Sequence, residues 1–269
     1  MNEPGDPQDR RIRLTLHYDG SGFAGWQAQP GTRTVQSELE AALSRLTDRP
    51  AAAIAAGRTD SGVHATGQVV STLVPAKWPA GGLRKALNAV LPRDIWIADA
   101  TEAPLSFHAR YDAVARGYTY RIGIQDAAAS PFLRRWCWPL LLEVRPELLA
   151  AAAARLLGRH SFAAFAKTGQ PHRGEYCTVL RSEWRPWHGV GLEYRITANR
   201  FLHHMVRYLV GTMVAVGRER RLPGDVDALL AKVPGYVTSE PAPAQGLCLS
   251  RVYYQLPTQD DEDLDETLP

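Results

Sequence analysis

Apolar positions along the chain follow two rhythms. From residue 12 to 18 they alternate, with Ile12, Leu14, Leu16 and Tyr18 on one side, as on a half-buried strand. From Val35 the spacing becomes helical: Val35, Leu39, Ala42, Leu43 and Leu46 share a face, and Thr34 is placed to cap it. Residues 52–56 are a weak strand candidate and 68–74 a stronger one. Leu83, Leu87, Val90 and Leu91 form a second helical stripe, ended by Pro92, and residues 95–100 alternate again. The second half starts with a strand at 118–124 and an Ala/Leu helix at 146–157 opened by its proline. Strands 179–187 and 191–198 make a hairpin around Trp187-His188-Gly189-Val190. A strongly patterned helix at 201–216, a short helix at 224–230 and a strand at 247–255 close the chain.

Each half thus reads β-α-β-β-α-β. The predicted fold class is α+β, two tandem ferredoxin-like or RRM-like modules with antiparallel or mixed sheets, a surface type often used to hold RNA. The expected domains are 11–110 and 111–257. They are flanked by an N-terminal tail at 1–10 and an acidic tail at 258–269, both expected to be disordered.

Composition changes this picture in three ways. The 269 residues, 45% of them hydrophobic, suffice for two cores. Cys137, Cys177 and Cys248 lie too far apart for a disulfide framework or the usual close zinc pairs, so a reducing cytoplasm fits best. No run of about 18 apolar residues is present, which excludes a helical membrane span, and residues 1–11 lack the apolar core of a secretory signal.

Net charge is +3, but nine acids crowd the two ends. Between residues 10 and 257 the 31 basic residues face 19 acids, a net +12, and 27 of the 31 are Arg. The planar guanidinium suits phosphate, so an anionic polymer is a reasonable partner; biased genomic composition accounts for the Arg content equally well.

Five segments carry candidate chemistry. Gly20-Ser21-Gly22-Phe23-Ala24-Gly25 matches a dinucleotide fingerprint formally, but no helix opens directly behind it, so it reads as a glycine-rich loop. Tyr18, Phe23 and Trp26 there either stack on bases or, the simpler reading, pack the loop onto the sheet. Gly57-Arg58-Thr59-Asp60-Ser61-Gly62-Val63-His64 is a polar loop between two strands, where Asp60 serves as nucleophile or base, or merely caps a turn. Phe107-His108-Ala109-Arg110 and Arg116-Gly117-Tyr118-Thr119-Tyr120-Arg121 flank the domain boundary, and Tyr118 and Tyr120 share one strand face. Plotted at 100° per residue, Arg200, His204, Arg207, Gly211 and Arg218 line up as a cationic ridge with a gap at Gly211, and His203 lies 60° away. Ligation of a metal by His203 and His204 is disfavoured, since adjacent helical residues diverge by about 100°.

Together these segments, with Thr34-Val35-Gln36 and Gly246-Leu247, closely resemble the TruA family of tRNA pseudouridine synthases. The matches run in family order from Tyr18 to Leu249. The resemblance implies isomerisation of uridine to pseudouridine at positions 38, 39 and 40 of the tRNA anticodon arm, with no cofactor or metal, by a cytoplasmic homodimer. It implies that Asp60 is the catalytic aspartate, that Tyr118 stacks on the target base, and that Arg207 pairs with Asp60, with Arg58 and Leu247 lining the pocket. His64, Phe107, His108, Arg110, Arg200 and His203 are the remaining substrate-binding candidates. Because Asp60 and Arg207 come from opposite halves, the site is expected in an interdomain RNA-binding cleft. Ser61 stands where the family more often has Ala, and Cys248 where an aromatic is common. Residues 171–177 do not align with the family, and the acidic tail lies outside its pattern.

Overall fold

The computed structural model describes residues 9–167 and 174–258. The leader up to residue 8, residues 171–173 and the acidic run at 260–266 lie outside the described residues. Two compact units divide the chain: one uses residues up to Val114 and from Leu249 onward, the other runs from Ala115 to Cys248.

The first unit contains β1 (Arg10–Tyr18), α1 (Val35–Thr47), β2 (Ile54–Ala55), β3 (His64–Val74), α2 (Ala80–Val90) and β4 (Ile95–Ala103). β1 lies between β4 and β3 and runs antiparallel to both; β2 pairs antiparallel with β3. The alternation of β1 sends Ile12, Leu14, Leu16 and Tyr18 into a core that also holds Leu39, Leu43, Leu83 and Leu87. Thr34 caps α1 as expected. Its side chain accepts the Ser37 N–H at 3.2 Å, while the Ser37 hydroxyl accepts the Thr34 N–H at 3.2 Å.

The second unit contains β5 (Ala115–Gly123), β6 (Trp138–Pro139), α3 (Pro146–Ala154), β7 (Gly158–Ser161), β8 (Tyr176–Trp187), β9 (Gly191–Ala198), α4 (Met205–Gly217) and α5 (Asp225–Leu230). Its strands lie in the order β5-β9-β8-β7 with antiparallel neighbours, and β6 joins β5 in parallel, which makes the sheet mixed. One face is sealed by polar contacts as well as apolar packing: the Ser182 hydroxyl donates to the Ala153 carbonyl of α3 and sits 2.8 Å from the Tyr194 hydroxyl. The opposite face carries a charge ladder in which Arg121 and Arg195 both bind Glu193, and Arg181 and Arg185 both bind Glu183.

β10 (Leu247–Tyr253) returns the chain to the first unit. There it approaches β3 so closely that a Cβ on Gly67 would lie 2.0 Å from the Ser250 carbonyl oxygen. β3 itself begins at His64, four residues before the alternating pattern suggests. The polar start is paired through Tyr18↔Ala65, which the apolar rhythm does not reveal.

The helix expected over 201–216 starts later. His204 has φ of 62°, a left-handed value, and the His203 carbonyl accepts the Lys167 N–H at 3.1 Å, so residues 201–204 are held outside α4. The expected ridge is therefore not a face of one helix: Arg200 and His204 precede the helix, Arg218 caps its end, and of the ridge residues only Arg207 and Gly211 lie within it. The Gly211 gap is filled by backbone, since a Cβ there would meet the Glu240 carbonyl oxygen at 2.1 Å. The 100° argument against His203 and His204 falls with the helix, for their ring centroids are 4.2 Å apart. Among the described residues no helix is long and apolar enough to cross a membrane.

Candidate active site

In the first unit the site grows out of the end of β2. Ala56 makes the last ladder bond, its N–H donating to the Val69 carbonyl at 2.8 Å, and the chain then leaves β3 for the Gly57–Val63 loop. The glycine-rich segment after β1 lies directly against that loop. Trp26 N–H donates to the Thr59 carbonyl at 3.0 Å, and Gly62 N–H and the Ser61 hydroxyl both reach the Phe23 carbonyl. Gly25 has φ of 96°, and a Cβ on it would meet the Thr59 oxygen at 2.7 Å. A Cβ on Gly20 would meet the Val63 oxygen at 2.0 Å. Both glycines are thus required by backbone lying on backbone rather than by a bound phosphate.

The aromatics of that segment pack rather than present themselves, since Tyr18, Phe23 and Trp26 are all buried. Tyr18 does more: its hydroxyl lies 2.8 Å from the Thr59 hydroxyl. Arg33 clamps the same segment from outside, with two bonds to Asp94, one to Glu38, and its guanidinium 4.1 Å from the Phe23 ring centroid. On this frame Arg58 is exposed and Asp60 half-buried, with the Val63 N–H donating back to the Asp60 carbonyl at 3.2 Å. The loop holds a half-buried aspartate on a backbone fixed from several sides, the condition for a nucleophile or base of defined position.

His64 is buried, and its Nδ1 accepts the Gly20 N–H at 3.1 Å. The Asp19 carboxylate also comes within 3.3 Å of Nδ1, but a nitrogen that accepts an N–H carries no proton there, so this approach is no ion pair. His108 uses Nδ1 similarly, accepting the N–H groups of Arg110 and Tyr111, and its ring stacks on Tyr111 at 4.2 Å. Phe107 packs against Tyr254, whose hydroxyl donates to the Ala109 carbonyl, and Ala109 N–H donates to the Ser71 hydroxyl. The Phe107–Arg110 segment thereby covers the sheet face opposite the core.

In the second unit Tyr118 is nearly buried, with its ring edge-on to Phe201 at 4.9 Å. Tyr120, on the same strand face, is fully buried and donates to the Pro243 carbonyl at 2.7 Å. Burial pushes the Tyr120 hydroxyl pKa well up, and Arg207 counteracts only part of that. Arg207 is anchored twice to one residue: its Nε donates to the Ala242 carbonyl at 2.7 Å, and its own carbonyl accepts the Ala242 N–H at 3.0 Å. Gly246 seats the Tyr120 ring, which a Cβ would strike at 2.7 Å, and Leu247 follows it, buried. Arg200 and His203 are half-buried on the connection ahead of α4. Sequence reasoning missed the 239–243 segment that orients Arg207 and missed Gln68 beneath the Asp60 loop. The proline-rich stretch around Pro241 and Pro243, unable to continue a helix, was the available signal for the first.

A family model described as tRNA pseudouridine synthase matches residues 15–112 and 152–255. Similar curated proteins bear the name tRNA pseudouridine synthase A. The one from Moorella thermoacetica is 42% identical over 245 residues, covering 90% of this chain and 99% of its own. That from Frankia casuarinae is 44% identical over 253 residues, covering 91% and 89%. That from Geobacillus kaustophilus is 39% identical over 249 residues, covering 91% and 95%. A match over most of the chain, carried through both strand-and-helix units, makes this protein a member of the tRNA pseudouridine synthase family.

Proposed function

We propose that this chain isomerises uridine to pseudouridine in the anticodon arm of tRNA, at positions 38, 39 and 40. The C1′–N1 bond breaks, the uracil turns, and C5 bonds to C1′; the proton lost from C5 is matched by one gained at N1. Asp60 supplies the carboxylate that attacks or supports the electron-poor C1′, as carboxylates do against oxocarbenium character in glycosidases. Tyr118 takes the platform role for a base that must first leave its stack, and it is the candidate for handling a ribose or base proton. Arg207 is assigned to Asp60 as its counter-ion, and Arg58 and Leu247 to the pocket wall. Arg110, Arg200 and His203 are assigned to the RNA. His64, Phe107 and His108 support the loops that carry these groups.

The observation that carries the reading is the Asp60 loop, where a family match coincides with a half-buried aspartate on a backbone held from several sides. The architecture belongs to the same proposal: two ferredoxin-like modules, expected at 11–110 and 111–257, with the chain from Leu249 onward counted in the first unit, a reading supported by the β-α-β-β-α-β order of that unit. So do a homodimer and a cytoplasmic location, which rest on the family resemblance.

Tritium release from tRNA labelled at uridine C5 tests the function. Asp60→Asn is expected to abolish release while tRNA binding persists; release at the parent rate overturns the reading. Pseudouridine mapping of the product tRNA tests the three positions, and sedimentation velocity tests the dimer.

A further inference from the structure

Beneath the Asp60 loop, on the core face of β3, lies a side chain that folding alone does not call for. Gln68 is fully buried opposite Leu16, in a row that continues with Val70, Thr72 and Val74. Its amide Nε2 donates to the Gly57 carbonyl at 2.7 Å and lies 3.4 Å from the Tyr18 hydroxyl. That hydroxyl is 2.8 Å from the Thr59 hydroxyl. The Gly57 carbonyl fixes which way round the amide sits, because the reversed amide would face oxygen with oxygen. In this orientation Gln68 Oε1 is buried with no hydrogen-bond partner.

An apolar side chain of similar length would fill the same space and spare the core the unpaired Oε1, but it would take the donor away from the Gly57 carbonyl. What it secures is local. At Ala56 the backbone ladder with β3 ends, and Gln68 reaches from the same strand to catch the next carbonyl, Gly57. Through Tyr18 it also reaches Thr59, the residue immediately before Asp60. The loop is thus tied at two points on its N-terminal side by one buried chain of hydrogen bonds, while Trp26, Phe23 and Gly25 hold it from the other side.

We propose that Gln68, acting with Tyr18, is the positioning device for Asp60: it fixes where the carboxylate points without touching substrate. This rests on the reading of Asp60 as the essential carboxylate. It predicts a loss confined to turnover, because a displaced reacting group costs rate whereas RNA contacts elsewhere stay intact.

The experiment measures kcat and KM for tritium release by Gln68→Met, Gln68→Glu, Tyr18→Phe and the Tyr18→Phe/Gln68→Met pair, each normalised to folded protein by circular dichroism. Gln68→Met is expected to lower kcat about 100-fold and Tyr18→Phe about 10-fold, with KM for tRNA within two-fold of the parent. The double variant is expected to match Gln68→Met alone, because both act through one loop. Gln68→Glu is expected to regain turnover as pH falls, since only the protonated acid donates to Gly57. A kcat within two-fold of the parent in either Gln68→Met or Tyr18→Phe overturns the proposal, as does a loss carried by KM alone. Should Gln68→Met fail to fold, Tyr18→Phe, which removes a single oxygen, decides it. The two readings fail separately: an active Asp60→Asn removes the role of Asp60, whereas an inactive Asp60→Asn beside a fully active Gln68→Met removes only the role of Gln68.

Discussion

The Asp60 loop and the charge ladder on β5, β9 and β8 solve the problem of holding polar groups still by opposite means. The loop uses neutral hydrogen bonds and backbone pressed on backbone, with glycines where a Cβ would collide. The ladder uses ion pairs: Glu193, itself buried, accepts from Arg121 at 2.8 Å and Arg195 at 2.7 Å. A neutral brace fixes a neighbouring carboxylate without adding a fixed charge of its own; a buried ion pair stabilises only while every partner is present. The first suits a reacting group and the second a scaffold.

Breaking the ladder should have the largest effect on stability. Glu193→Gln removes the carboxylate that Arg121 and Arg195 both bind and is expected to cost about 3–5 kcal/mol, read from the urea midpoint, with turnover per folded molecule unchanged. Next comes Gly25→Ala, where φ of 96° and a 2.7 Å approach to the Thr59 oxygen both oppose a side chain. Its expected cost is about 1–3 kcal/mol, and it should lose turnover as well, the mark that separates the loop from the ladder. Thr34→Ala removes the cap of α1 and should cost about 1 kcal/mol by the same measurement, with no change in turnover.

Acid should separate the two regions more finely. Burial pushes the Glu193 carboxyl up, but hydrogen bonds from Arg121 and Arg195 outweigh this and hold it below the ordinary glutamate value. A depressed carboxyl contributes stability above the ordinary carboxylate range, and that stability is lost as pH falls through the depressed value. Urea midpoints of the parent protein should therefore drop on acidification below about pH 4.5, and Glu193→Gln should flatten that drop.

Much of this was legible because local rules and tertiary packing agree. Thr34 caps α1, β1 buries its predicted face, and Tyr118 and Tyr120 share a side of β5 as their spacing requires. The reading failed where tertiary contacts overrode local pattern. Residues 201–204 continue a helical rhythm, yet the Lys167 N–H captures the His203 carbonyl and His204 turns left-handed. The ridge built on that helix failed with it, because wheel geometry cannot foresee a distant segment such as 239–242 lying across Gly211. Asp60 was recognisable from its motif, but Gln68 was not: a lone glutamine inside an apolar strand is silent until the loop above it is seen.

The first unit is discontinuous in sequence, and this has a consequence for synthesis. A ribosome completes residues up to Val114 long before it makes Ser250, whose carbonyl lies against Gly67. Until then β3 beside Gly67, outside the stretch that β2 covers, lacks that strand and presents backbone to solvent, the kind of edge that recruits other chains. The second unit, contiguous from Ala115 to Cys248, can close first. Emergence and completion thus run in opposite order, and the half of the molecule that carries Asp60 is the last to be finished.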